Sequence, residues 1–183
     1  MSRITFSGEN VSLSYIWEWY QVSEKAMRGE RKRVLDALTT DRDVEDFFVG
    51  MTGEDVDGYF QEYKRELEFL VCFDIISAAE GYLRLGYLNR VYKRLKDPVS
   101  RKFRALYKHS GPRIRLNEDI LGALAEEYPS YKMAIGQFRG ILGLRDWLAH
   151  GRYWEPKFGR QYTPEDAFEV VEQLFEIMPA EFE

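Results

Sequence analysis

The chain has 183 residues, a length that favours a single domain. Its apolar fraction of 45% favours a globular chain over a disordered one, and no run of about 18 apolar residues predicts a membrane span. The net charge of −5 argues against a general nucleic-acid binder, and a single cysteine, Cys72, excludes an internal disulfide and a cysteine-cage metal site. We expect a cytoplasmic protein, because the first residues also lack the apolar run of a signal peptide.

The spacing of apolar residues predicts an all-helical fold, because helical spacing is common along the chain and two-residue alternation is nearly absent. Ser12 or Ser14 can cap a first helix that reaches about Arg28. Gly29 is the predicted stop of this helix, since glycine is a common terminator.

Two further short helices are predicted before position 50. The first covers about residues 30–37, and Thr39 or Thr40 can cap the second, over residues 41–48. We expect residues 1–54 to form an N-terminal helical extension to the rest of the chain.

The strongest helical pattern runs from about residue 55 to residue 95. Residues 67–79 within it are apolar on nearly all sides, so they must be buried at the centre of the fold or against a partner chain. The pair Asp97-Pro98 breaks this pattern, and a basic helix over residues 99–109 follows.

The C-terminal part predicts three more helices. Asn117 can cap a short one that reaches about Glu127, and the next spans residues 131–149 and ends at Gly151. Residues 163–166 read Thr-Pro-Glu-Asp, which offers a hydroxyl cap, a proline at the first helical position and an acid at the third. We expect residues 55–183 to form a helical bundle with short connections.

Basic residues are concentrated between positions 84 and 115. This segment carries a charge of +10 and the rest of the chain −15. Its eleven basic residues are Arg84, Arg90, Lys93, Arg94, Lys96, Arg101, Lys102, Arg104, Lys108, Arg113 and Arg115. They could line a path for a polyanion such as a nucleic acid, with Arg101, Lys102 and Arg104 as its candidate contacts. Alternatively, the segment is a solvated face that acidic neighbours balance in the fold.

A candidate catalytic group lies at the end of the helix over residues 131–149. Arg145, Asp146 and His150 cluster there. An arginine can hold a phosphate by two parallel hydrogen bonds, and a histidine can move the proton of a ribose 2′-hydroxyl. Alternatively, both residues have only structural roles: Arg145 is an ion-pair partner, and His150 is a helix cap. The other histidine, His109, is better explained as a solvated loop residue.

Residues 145–150 read Arg-Asp-Trp-Leu-Ala-His, which resembles the Arg-x(4–6)-His signature of HEPN domains. In that signature the residue after the arginine is typically Asn, Asp or His. Residues 138–152 also resemble the family's helix that ends in Ala-His-Gly, and the resemblance covers about residues 59–178. It implies a HEPN-like bundle and a homodimer that cleaves RNA without a metal, leaving a 2′,3′-cyclic phosphate. Many HEPN proteins act in toxin–antitoxin, phage-defence or CRISPR-associated systems, and others are inactive binding scaffolds.

The resemblance also implies a supporting acid on an earlier helix. Glu80 is the first candidate and Asp74 the second, and Arg145 is the expected partner of either. Arg139, Arg152 and Tyr153 are further candidates for contact with RNA, although Arg152 and Tyr153 could instead pack against the last helix.

The sequence also leads to expectations about partners and cofactors. The apolar stretch over residues 67–79 and the aromatic residues Trp147, Tyr153 and Trp154 predict a homodimer. An antitoxin or other protein partner is a further expectation. No phosphate-binding glycine loop or metal-ligand cluster is apparent, so we expect no cofactor and no metal. The alternative to a ribonuclease is a non-catalytic module that binds RNA or protein.

Overall fold

The computed structural model describes residues 3–40 and 44–177. These residues form six α-helices and no strand, which confirms the all-helical prediction. The helices are α1 (Leu13–Thr39), α2 (Gly53–Tyr92), α3 (Pro98–Ser110), α4 (Leu121–Glu127), α5 (Lys132–Ala149) and α6 (Pro164–Ile177). Single turns of 3₁₀-helix at Asp46–Phe48 and Pro129–Tyr131, and a π-helical turn at Leu116–Ile120, lie in the connections.

The prediction that Gly29 ends the first helix is wrong, because α1 continues through it to Thr39. A glycine inside a helix costs only about 1 kcal/mol relative to alanine. Residues on both sides of it are buried, Ile16 and Tyr20 before it and Val34 after it. Burial of each such side chain stabilises the fold by roughly 1.5–3 kcal/mol, so packing outweighs the local cost.

Two further helix predictions in connecting segments need correction. The helix over residues 41–48 is reduced to a 3₁₀ turn at Asp46–Phe48, and residues 41–43 lie outside the described part of the chain. Asn117 does not cap a helix, because the π-helical turn already begins at Leu116. There the Asp119 carboxylate accepts a 2.8 Å hydrogen bond from the backbone N–H of Arg115.

The starts of the long helices follow their capping residues. Thr52 and Asp55 form a reciprocal capping box at the start of α2, and Asp97 caps α3 with Pro98 in its first turn. Thr163 and Asp166 exchange hydrogen bonds at the start of α6, as the sequence predicts. Because the caps satisfy backbone donors locally, these boundaries can be read from the sequence.

Helix α2 is the centre of the bundle. Five residues of its apolar stretch are fully buried: Val71, Cys72, Ile75, Ile76 and Ala79. Helices α1, α3, α5 and α6 pack around α2. The apolar stretch is therefore buried largely within its own chain, which was one of the two predicted explanations. Burial raises the pKa of the Cys72 thiol to about 12, as expected for a thiol that serves as a core residue.

The N-terminal helix contributes to two separate apolar clusters. Ile16 and Tyr20 belong to the main core, whereas Val34 packs in a smaller cluster with Val56 and Phe60 of α2. Within the described residues, no helix is both long enough and apolar enough to cross a membrane.

Candidate functional site

The end of α5 presents His150 at the protein surface. His150 is the residue at which the helix stops, and its backbone N–H donates a 3.0 Å hydrogen bond to the carbonyl of Asp146. The next two residues, Gly151 and Arg152, both adopt left-handed backbone angles, with φ of 77° and 58°. This turn ends the helix, and the side chain of His150 is exposed to solvent.

Arg145 is held by Glu80 of the central helix. One terminal nitrogen of the guanidinium forms an ion pair with the Glu80 carboxylate, and the other donates a 2.8 Å hydrogen bond to Asp146. The second Glu80 oxygen accepts a 2.8 Å hydrogen bond from Arg84. The side chains of Arg145 and Glu80 are only 24% and 19% exposed, so this ion pair is partly shielded from water. The Nε of Arg145 is buried and has no hydrogen-bond partner among the described residues.

Glu80, the first of the two candidate acids, is thus the partner of Arg145. Asp74 lies six residues earlier on α2 and lines a surface cavity of about 270 Å³, together with Asn10 and Ser77. Desolvation there raises the pKa of the Asp74 carboxyl. The two acids therefore occupy separate environments, which the sequence could not distinguish.

Arg152 packs against the central helix. Its guanidinium forms a 2.6 Å ion pair with Glu66 and lies 5.5 Å from the centre of the Phe69 ring. The hydrogen bond from Arg152 lowers the pKa of the Glu66 carboxyl. Since Glu66 lies 86 positions earlier in the chain, sequence reasoning missed this pair. Nothing in the local pattern of α2 separates Glu66 from its solvated neighbours.

The aromatic residues within and after the motif over residues 145–150 divide into a packed and an exposed group. Trp147 donates a 2.8 Å hydrogen bond from its indole nitrogen to the carbonyl of Trp154, so the loop folds back on α5. Tyr153 points outward and is 82% exposed. Tyr153 is therefore free for an external contact, whereas Trp147 belongs to the fold.

The three candidate RNA contacts on α3 have different surroundings. Lys102 forms 2.6 Å ion pairs with both Glu126 and Glu127. The Arg104 guanidinium donates to the carbonyl of Leu95. Arg101 is exposed and forms no ion pair within the described residues. Of the three, Lys102 is neutralised by two carboxylates, whereas Arg101 is exposed and keeps its charge for an external anion.

The basic helix and the motif helix pack against different neighbours. Helix α3 packs on α2 and α4, whereas α5 packs mainly on α2 and α6. Arg139, on α5, donates a 3.1 Å hydrogen bond to the carbonyl of Asn117. The structure thus brings Arg145, Asp146 and Glu80 into contact, and it leaves the α3 cations outside that group.

Part of the positive charge between positions 84 and 115 is paired with carboxylates of the same chain. Arg84 pairs with Glu80, Arg90 with Asp97, and Arg115 with Asp119, in addition to the Lys102 pairs. Acidic neighbours therefore balance part of the segment, as the solvated-face alternative expects.

The described residues contain no group of three or more His, Cys, Asp or Glu side chains placed to hold a metal ion. Comparison with models of protein families, with curated proteins and with solved structures finds no match to this chain.

Proposed function

We propose that the protein is a metal-independent endoribonuclease of the HEPN type, in which Arg145 and His150 act on one phosphate of the RNA. One observation carries the proposal. Glu80 fixes Arg145 at the protein surface, and the same helix ends at an exposed histidine. A fixed guanidinium loses little freedom when it binds a phosphate, which favours charge stabilisation in the transition state.

In the proposed reaction, His150 removes the proton of a ribose 2′-hydroxyl. The 2′-oxygen attacks the adjacent phosphorus, a P–O bond forms, and the bond to the 5′-oxygen of the next nucleotide breaks. That 5′-oxygen takes up a proton, and the upstream fragment ends in a 2′,3′-cyclic phosphate. Arg145 stabilises the negative charge on the two free phosphoryl oxygens. Asp146, whose side chain is 55% exposed, can turn into solvent and release one guanidinium edge for the phosphate.

We further propose a homodimer, in which two copies of His150 face one cleft and one of them protonates the leaving oxygen. Exposed apolar side chains on the central helix and beside the motif support this, namely Leu70 at 58% and Tyr153 at 82% exposure. A two-fold interface that includes Leu70 and Tyr153 would bury both residues in both copies. The cytoplasm and a toxin–antitoxin or defence system remain the proposed setting, with RNA as substrate and an antitoxin-like protein as a further partner.

The test is cleavage of a labelled single-stranded RNA in EDTA, with His150→Ala compared against His109→Ala. The chain has two histidines, so His109→Ala is a matched control. Loss of a positioned acid–base group should slow cleavage by roughly 10²–10⁴-fold, and only in His150→Ala. A single 2′-deoxy substitution at the cut position should block cleavage. Cleavage that persists in His150→Ala, or that requires a metal, would contradict the mechanism.

A second function, a non-catalytic RNA- or protein-binding module, is favoured by a different observation. Both terminal nitrogens of Arg145 already contact carboxylates, Glu80 and Asp146, so a phosphate must displace one of them. If the wild-type protein binds RNA and releases no cyclic phosphate from any sequence in a randomised pool, this second function replaces the first.

A further inference from the structure

A second site lies beside the end of α5, on a face that Arg145 and His150 do not line. A cavity of about 500 Å³, partly open to solvent, lies between α2, the C-terminal half of α5 and the loop that joins α5 to α6. Small-molecule sites usually have volumes of about 300–1,000 Å³. Four aromatic side chains form its walls: Phe69, Trp147, Phe158 and Tyr162.

The loop that joins α5 to α6 packs against two glycines of α5, most closely at Gly140. A Cβ atom at Gly140 would lie 3.1 Å from the Tyr162 hydroxyl, and one at Gly143 would lie 3.7 Å from the Phe158 ring. The loop therefore approaches the backbone of α5 closely, and two rings are held against the helix. The edge-on contact of Trp147 with Phe158, with ring centres 5.8 Å apart, joins the walls from α5 and from the loop.

Two arginines border the aromatic walls. The Arg65 guanidinium lies 5.4 Å from the centre of the Phe69 ring, and that of Arg160 lies 4.7 Å from the Tyr162 ring. Arg65 forms no ion pair within the described residues, and the nearest carboxylate oxygen to Arg160, from Asp166, is at 3.8 Å. Both cations can therefore bind an external anion.

The remaining polar groups at the cavity differ in their availability. Glu68 is partly neutralised by Lys64, at 3.3 Å. Gln161 is exposed and makes no hydrogen bond with another described residue, so its amide can both donate and accept. The cavity thus combines flat apolar walls, a free amide and two guanidinium groups.

We propose that this cavity binds a nucleotide, with its base against the aromatic walls and its phosphate on Arg65 and Arg160. A base stacks well on aromatic side chains, and a guanidinium is the side chain best suited to phosphate. Phosphate alone would not use the four rings, and an uncharged aromatic ligand would not use the two cations. The nucleotide is either free or part of single-stranded RNA. The assignment is independent of the cleavage proposal, because it concerns binding at different residues.

Calorimetry with the wild-type protein tests the assignment. The probes are the four nucleoside 5′-monophosphates, the nucleoside of whichever binds most tightly, and inorganic phosphate. The monophosphate should bind more tightly than its nucleoside, and phosphate alone should bind weakly. Arg65→Gln should weaken monophosphate binding by about tenfold and leave nucleoside binding unchanged. Phe158→Ala should weaken both by about tenfold, since base stacking is removed. Arg28→Gln, an exposed arginine of α1 away from the cavity, is the matched control.

A single-stranded octaribonucleotide, tested with His150→Ala protein to prevent its cleavage, distinguishes the two sources. If monophosphate and octamer bind with similar affinity, the ligand is a free nucleotide. If only the octamer binds and Arg65→Gln weakens it, the cavity is a subsite for an RNA strand.

The assignment is wrong if neither probe binds at millimolar concentration, or if neither Arg65→Gln nor Phe158→Ala changes the binding observed. Arg65 is exposed, so its substitution keeps the test valid even if Phe158→Ala fails to fold. The cleavage assay with His150→Ala and His109→Ala tests the ribonuclease proposal separately.

Discussion

Glu80 on α2 forms an ion pair with Arg145 on α5, across 65 positions of the chain. Glu80 also accepts a hydrogen bond from Arg84, so one carboxylate holds two guanidinium groups. Charge-assisted hydrogen bonds of this kind are about twice as strong as neutral ones. The pair joins the central helix to the motif helix and fixes the orientation of the arginine proposed to bind phosphate.

Glu80→Gln should lower both stability and cleavage. It leaves Arg145 partly buried beside a neutral amide, and the free energy of unfolding should fall by about 1–3 kcal/mol. Urea unfolding measures this, with Glu62→Gln as the control, because Glu62 is exposed on the same helix. If Glu80→Gln unfolds at the same urea concentration as Glu62→Gln, the ion pair contributes nothing to the fold.

Arg145→Lys should fold but should not cleave RNA. A lysine keeps the charge next to Glu80, so stability should fall less than in Arg145→Ala. An ammonium cannot make the two parallel hydrogen bonds that a guanidinium makes with phosphate, so the Arg145→Lys variant should not cleave RNA. Urea unfolding curves measure the stability of the variants, and the RNA cleavage assay on the same samples measures their activity. Wild-type cleavage rates in Arg145→Lys would show that two-pronged binding is unnecessary.

Two glycines of α5 should respond differently to alanine. Gly136 has open space around it, so Gly136→Ala should stabilise the protein by about 0.5–1 kcal/mol through helix propensity alone. At Gly140 the new methyl group would meet the Tyr162 hydroxyl at 3.1 Å, which should cancel or reverse that gain. Thermal unfolding of the two variants compares them directly. Equal stabilisation by both would mean that the loop does not pack closely on α5.

Arg101→Glu should weaken RNA binding without changing stability. Arg101 has no carboxylate partner among the described residues, and binding one phosphate fewer should reduce the salt slope by about 0.7 for a single strand. Fluorescence anisotropy at several salt concentrations gives the slope. Lys102→Glu is unsuitable for this purpose, because it places a third carboxylate beside Glu126 and Glu127 and should destabilise the fold. An unchanged slope in Arg101→Glu would identify α3 as a solvated face.

Asp97, which caps α3, should make the free energy of unfolding depend on pH. Burial acts to raise the pKa of Asp97, but hydrogen bonds from Ser100 and the charge of Arg90 outweigh it, and the pKa is lowered. Because the pKa of Asp97 is lower in the folded protein than in the unfolded chain, its ionised carboxylate stabilises the fold. This contribution is complete above the pKa of the unfolded chain, about 3.9, and is lost as pH falls through the pKa of the folded protein.

Asp97→Ala should therefore cost about 1–2 kcal/mol near pH 7, because it removes both the cap and the Arg90 pair. The difference from wild type should shrink below about pH 4. Urea unfolding of both proteins between pH 3 and 7 measures it. A difference that stays constant with pH would mean that the charge of Asp97 has no part in the effect.

The sequence alone determined the features that depend on local chemistry. The all-helical class follows from apolar spacing, and the starts of α3 and α6 follow from Asp97-Pro98 and Thr163-Pro164. The end of α5 follows from Gly151, which takes the left-handed conformation that glycine favours. These signals operate within a few residues, so no knowledge of distant contacts is needed to read them.

Only the tertiary structure decided which distant groups meet. It continued α1 through Gly29, because burial on both sides outweighs a local helix cost. It chose Glu80 over Asp74 as the partner of Arg145, because positions six residues apart on α2 point to different faces. It also placed Lys102 beside two glutamates and brought four aromatic side chains together around a cavity beside α5. Such outcomes depend on how helices pack against one another, and the residue pattern within one helix does not show which side chains of other helices lie beside it.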